Sequence, residues 1–228
     1  MTLRQNNLCR LFENHGLRTS SARPIITARA LADHSLLDEV KRVFAALGGR
    51  LEIPVLGPPP SGPGKWDMVV EGIPVELDEE RHFNRYRGHT LQSPMYAEIR
   101  SFELEKYTQY CIDREPDCLR AAGWKGNWTN LSCERQFGPA PPERQLYEPG
   151  PPRWKQRAIN DYLKDAYGLI NEGPVVRFSI WETVHSSTGE FVLGTLLKNG
   201  YKGDWTSAVL RTFDVRSGKT PARADGSA

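Results

Sequence analysis

Two β-prone runs, residues 65–70 and 73–79, are separated by nothing but Glu71 and Gly72. A two-residue link ending in glycine predicts an antiparallel hairpin and fixes its register. Val70 then faces Ile73, Val69 faces Pro74 and Met68 faces Val75. Counting back, Asp67 faces Glu76 and Lys65 faces Asp78. Side chains alternate along a strand, so Ile73, Val75 and Leu77 take one face, while Glu76 and Asp78 take the other with Asp67 and Lys65. Asp67 and Glu76 form a non-hydrogen-bonded pair with Cβ atoms about 4.5–5.5 Å apart. Asp78 follows about 6.5–7 Å further along the strand. Like charges placed opposite each other destabilise a sheet, so this patch asks for a cation. Carboxylate oxygens suit Mg²⁺, with Mn²⁺ able to substitute. Such an ion lowers the pKa of a bound water and neutralises charge on a reacting phosphate. The competing reading is that Glu76 and Asp78 coat a solvated face. Asp67 opposite them, and the histidine and arginines just downstream, weigh for a site.

With 228 residues the chain can bury a core without disulfides. A hydrophobic share of 39% and a charged share of 25% are those of an ordinary globular protein. No apolar run is long enough to span a bilayer, and the opening residues lack a signal-peptide core. The expectation is a cytoplasmic protein with no membrane partner. Its cysteines, Cys9, Cys111, Cys118 and Cys133, are then free thiols. A net charge of +2 permits a nucleic-acid partner without arguing for one.

Helices are predicted at 3–14, at 35–47 and at 153–167, the second capped by Ser35 and ended by Gly48-Gly49, the third stopping at Gly168. Residues 16–24 read as a loop. Short strands are predicted at 50–56 and 175–182, and residues 188–213 read as helical with breaks at Gly200 and Gly203. The domain expectation is an N-terminal helical extension (1–34), a main domain (35–215) with an insertion at about 92–152, and a disordered tail (216–228).

The stretch from Trp66 to Leu91, with Asp67, Glu76-Leu-Asp78, His82, Arg85 and Arg87, resembles the PD-(D/E)XK nuclease superfamily, in particular the branch related to very-short-patch-repair endonucleases. That resemblance implies an α/β fold: a restriction-endonuclease-like αβββαβ core, a mixed sheet flanked by helices. The helix at 35–47 and the strand at 50–56 would open it. It also implies a Mg²⁺-dependent endonuclease hydrolysing phosphodiester bonds, most readily in DNA. Asp67 and Glu76 would hold the metal, while Asp78, with Lys65 or His82, would position and deprotonate the attacking water. The family's usual lysine is replaced by Asp78, and Lys65 is the candidate substitute. The same replacement supports a second reading, a catalytically inactive nuclease-fold module that binds nucleic acid or a partner protein. A homodimer is compatible with either.

Arg81, Arg85 and Arg87 are candidates for gripping phosphates, against a solvated basic face. In some relatives a Gln or Lys from the helix at 153–167 reaches the site, which points to Lys155 and Gln156. Glu39 is a further acidic candidate on the helix at 35–47. Cys111, Cys118 and Cys133 lack zinc-like spacing, so buried thiols are the simpler expectation.

Overall fold

The computed structural model describes residues 1–22, 35–52 and 63–219. Helix α1 (Leu3–Asn14) leads into β1 (Thr19–Ser20); α2 (Leu37–Ala46) follows, then the hairpin β2 (Met68–Val70) and β3 (Ile73–Asp78). Short helices α3 (Arg85–Thr90), α4 (Leu104–Asp113), α5 (Glu115–Ala122) and α6 (Leu131–Phe137) precede the long α7 (Pro152–Ile170). The chain closes with β4 (Val176–Ser179), the hairpin β5 (Thr183–Ser186) and β6 (Gly189–Val192), then α8 (Leu193–Asn199) and α9 (Thr206–Arg216).

β1 to β4 form a mixed four-stranded sheet in that order, antiparallel except that β4 runs parallel to β3. The hairpin register is the predicted one: Met68 opposite Val75, Val69 opposite Pro74, Val70 opposite Ile73. Glu71 (φ 50°) and Gly72 (φ 82°) both lie in the left-handed region, as a tight turn matching strand twist requires. The strained glutamate is held by Arg18, whose backbone N–H donates to Glu71 Oε1 at 2.6 Å.

Alternation sorts the two faces of the sheet. Val75, Leu77, Val176 and Phe178 pack with Leu8, Leu11 and Phe12 of α1 and with residues of α8 and α9. Each fully buried side chain of this size is worth about 1.5–3 kcal/mol. The segment expected as an extension therefore supplies part of the sheet's own core. On the opposite face, Glu76, Asp78 and Arg177 meet α7. An apolar stripe of that helix, including Ala158, Ile159, Tyr162 and Ala166, packs with Val40 and Phe44 of α2 and with Phe83, Tyr96 and Tyr107.

Several sequence expectations are corrected. The first strand of the sheet is residues 19–20, inside the expected loop, and the helix before it is α1. The helix at 35–47 is present as α2, but the strand predicted after it falls partly on 53–56, outside the described residues, and residues 50–52 are not strand. α2 begins without a side-chain cap, so Ser35 does not cap it. α7 continues through Gly168 to Ile170. A mid-helix glycine costs about 1 kcal/mol; here a Cβ at position 168 would lie 3.0 Å from the Gly173 carbonyl oxygen, so the glycine lets the returning chain pack close. The segment at 188–213 begins as β6, and its helices flank the predicted breaks. Of the predicted tail, residues 220–228 lie outside the described residues, and Arg216 is the last residue of α9.

Candidate metal and acid–base site

β3 delivers Glu76 and Asp78 to the α7 side of the sheet, where both are buried. The solvated-face reading is thereby removed. Below Met68 the strand ladder gives way to side-chain bonds. The Asp67 backbone N–H donates to Glu76 Oε1 at 3.1 Å, and the Leu77 N–H donates to Asp67 Oδ2 at 2.8 Å. Asp67, Glu76 and Asp78 do converge. Gln5 of α1 closes over the first of them, donating from Nε2 to Asp67 Oδ1 at 2.7 Å.

The basic partners differ from those expected. Lys65 is exposed and contributes only its carbonyl, which accepts from Lys164 Nζ at 2.8 Å. Because the ladder ends at Met68, Lys65 is never placed opposite Asp78. Lys164 of α7 is the lysine that reaches the site, 2.8 Å from both oxygens of Glu76. Asp78 is instead held by Arg177 of β4, whose Nη1 donates to its two oxygens at 2.7 and 3.0 Å. Arg177 is fully buried and also donates from Nε to Asp165 Oδ1 at 2.5 Å.

His82 follows β3 in a 3₁₀ turn, residues 80–82. Its Nδ1 lies 2.8 Å from Asp161 Oδ2 and 3.4 Å from Asp78 Oδ1. Asp78, His82 and Asp161 each offer a ligand atom, all within 4.8 Å of one another. Among the described residues this is the grouping able to hold a metal ion, and no cysteine belongs to it. Burial instead pushes the Cys111 and Cys118 thiols up to about 12, so both stay protonated.

The carboxylates Asp67, Glu76, Asp78, Asp161 and Asp165 outnumber the cations paired with them, Arg87, Lys164 and Arg177. Burial pushes the Glu76 pKa up; Lys164 pulls it back, Asp67 adds to the rise, and the result is about 7. Burial likewise raises Asp67, against the Leu77 N–H. For His82 burial works toward neutrality, but Asp161 and Asp78 outweigh it and the pKa is raised. Burial opposes ionisation of Asp161 too, yet His82 and Arg177 hold its carboxyl below the usual range.

The expected phosphate grips are mostly engaged elsewhere. Arg87 is buried and paired with Asp165 at 2.7 Å, so it serves the interior network. Arg85 is exposed but tied to Glu115 at 2.6 Å. Lys155 is buried with Nζ over the Tyr86 ring, and Gln156 donates to Gln136 at 2.9 Å; neither joins the carboxylates. Glu39 pairs with Arg42 and accepts from Ser93. Arg81 stays near the site, at the turn carrying His82. Asp161, Lys164, Asp165 and Arg177 were not singled out in the sequence. The first three do carry a signal, the helical spacing that puts 161, 164 and 165 on one face of α7.

These elements define an α/β protein with a mixed four-stranded sheet flanked by helices, carrying a buried cluster of carboxylates, histidine and basic residues between the sheet and α7. The chain belongs to a family of unknown function, DUF7255, whose profile matches residues 42–199. That span includes Asp67, Glu76, Asp78, His82, Asp161, Lys164 and Arg177. No curated protein and no solved structure matches the chain.

Proposed function

We propose that this protein is a metal-dependent nuclease hydrolysing phosphodiester bonds, with DNA as its substrate. The observation that carries this is the Asp78–His82–Asp161 grouping, set beside Glu76 and Lys164 at the end of β3. With α2 and α3–α6 set aside as insertions, the order α1, β1, β2, β3, α7 and β4 also supports the restriction-endonuclease-like αβββαβ reading.

The donor set fits a divalent ion at Asp78, His82 and Asp161 better than at Asp67 and Glu76. Both sets are hydrogen-bonded, Asp67 and Glu76 by Gln5, the Leu77 N–H, the Asp67 N–H and Lys164, and Asp78 by Arg177; what favours Asp78, His82 and Asp161 is that their ligand atoms all lie within 4.8 Å of one another. An imidazole beside two carboxylates favours Mn²⁺ over Mg²⁺. Bound there, such an ion would activate a water and neutralise phosphate charge. Glu76, with its pKa raised to about 7, is matched to accept a proton from an attacking water near neutral pH. Lys164 supplies the ammonium that the sequence reading assigned to Lys65, stabilising negative charge next to Glu76.

One observation favours the non-catalytic module: Asp78 and Glu76 already have internal cations, Arg177 and Lys164. Incubating purified protein with plasmid and oligonucleotide DNA in Mn²⁺, Mg²⁺ or EDTA separates the readings. We expect cleavage in Mn²⁺, none in EDTA, and a loss of at least about 100-fold in Asp161→Asn and Glu76→Gln. DNA binding that is indifferent to EDTA, with no cleavage, would establish the module instead.

A further inference from the structure

Next to His82 and Asp161 lies a second cluster, of the opposite sign. Arg153 and Arg157 are one turn apart on α7, an i, i+4 pair whose Cβ atoms lie about 5–6 Å apart, and the same stripe continues to Asp161. Arg157 donates from Nη1 to the carbonyl oxygen of Arg81 at 3.3 Å, which ties it to the turn carrying His82. Arg81 donates in turn to Asn127 Oδ1 at 3.3 Å. Arg153 donates to the amide oxygen of Gln156. Among the described residues none of the three guanidiniums has a carboxylate within 4.0 Å, whereas Arg87, Lys164 and Arg177 each have one. The partners they do have are neutral: a carbonyl and two side-chain amides.

Like charges brought together at a half-buried place are destabilising unless something neutralises them. Arg157 registers this directly. Burial, then Arg153 and Arg81, push its pKa down to about 10, against an ordinary 12.5. The cluster has the donors and the charge for a tetrahedral oxyanion, and guanidiniums in a fork arrangement match phosphate oxygens.

We propose that Arg81, Arg153 and Arg157 form a phosphate-binding subsite that holds a phosphate group of the substrate strand beside the Asp78–His82–Asp161 grouping. The occupant's identity as part of a nucleic acid rests on the nuclease reading above; the subsite itself does not. The acidic grouping and the arginine cluster then divide the labour. One centres on the reacting phosphate with its metal, and the other fixes the strand's register through a neighbouring phosphate.

The test is done in EDTA, so that it does not depend on cleavage. Single-stranded oligonucleotide affinity is measured against salt for wild type, Arg153→Gln/Arg157→Gln and Arg157→Lys. In parallel, melting is followed in inorganic phosphate and in a phosphate-free buffer. We expect the double variant to bind at least about tenfold more weakly and to lose about 1.4 from the slope of log affinity against log salt, about 0.7 for each lost contact. Arg157→Lys keeps most of that slope. Inorganic phosphate should raise the melting temperature of wild type and leave that of the double variant unchanged. If phosphate stabilises wild type alone but no oligonucleotide binds, the subsite stands and the nuclease reading falls. If phosphate shifts both proteins equally or neither, and the salt slopes coincide, the subsite is refuted even where cleavage is found.

Discussion

Arg177 lies against three buried aspartates, Asp78, Asp161 and Asp165. It lies at 0% exposure and joins Asp78 of β3 to Asp165 of α7, while its Nη2 donates to the Asp161 carbonyl at 3.1 Å. Removing one partner of a buried pair leaves an uncompensated charge, at a cost of about 3–5 kcal/mol. Arg177→Met should therefore lower the urea midpoint by an amount equivalent to that loss; a change under about 1 kcal/mol would show that the network is not load-sharing as described. Asp161 acts on His82 in a separable way. Burial alone drives an imidazole toward neutrality, and it is the two facing carboxylates that reverse this. Asp161→Asn should bring the His82 pKa back down toward or below 6.5, read by NMR titration in EDTA. An unmoved His82 titration would assign the shift to Asp78 instead.

At the scale of elements, α7 is the organising piece. Its apolar stripe packs on α2 and the intervening helices, and its polar edge carries Arg153, Arg157, Asp161, Lys164 and Asp165 past the end of β3. A helix whose charged edge is buried against a sheet is tolerable only because the sheet answers with Glu76, Asp78 and Arg177. The opposite layer depends on a close approach. Gly194 in the first turn of α8 donates its N–H to the Ile180 carbonyl at 2.8 Å, and a Cβ there would meet that oxygen at 2.8 Å. Backbone cannot yield as a flexible side chain does, so Gly194→Ala should destabilise by about 1–3 kcal/mol despite alanine's better helix propensity. Thermal unfolding checks this, and a stabilised variant would mean that α8 can slide on β4.

For the whole molecule, the raised pKa values of Glu76 and His82 give the pH dependence of stability. Glu76 titrates at about 7 when folded against 4.5 ordinarily, so its favourable contribution is complete below 4.5 and is lost as pH rises through 7. His82, also raised, contributes in the same direction: its protonated form stabilises below 6.5 and that gain disappears as pH rises through its folded pKa. Asp161, lowered, acts in reverse and only at acid pH, below 3.8. In EDTA the protein should therefore melt lower at pH 8 than at pH 5.5. Mn²⁺ should reverse the order, because it binds the deprotonated ligands. A protein more stable at pH 8 in EDTA would contradict the assignment of Glu76 and His82.

The hairpin was legible from its residues alone. A two-residue turn and a side-chain period of 2 are local constraints, and they determined both the register of β2 with β3 and the convergence of Asp67, Glu76 and Asp78. Tertiary structure decided which cations answer them. Arg177 is 99 residues from Asp78 and Lys164 is 88 from Glu76, and spacing along the chain carries no information about such pairs. The first strand was hidden for a related reason. Thr19 and Ser20 have no periodic pattern to display, and they are strand only because β2 offers an unpaired edge. Local sterics fix what a short segment can be, whereas the choice of partners is made by burial of the whole, where a charge left unpaired costs more than any local preference can return.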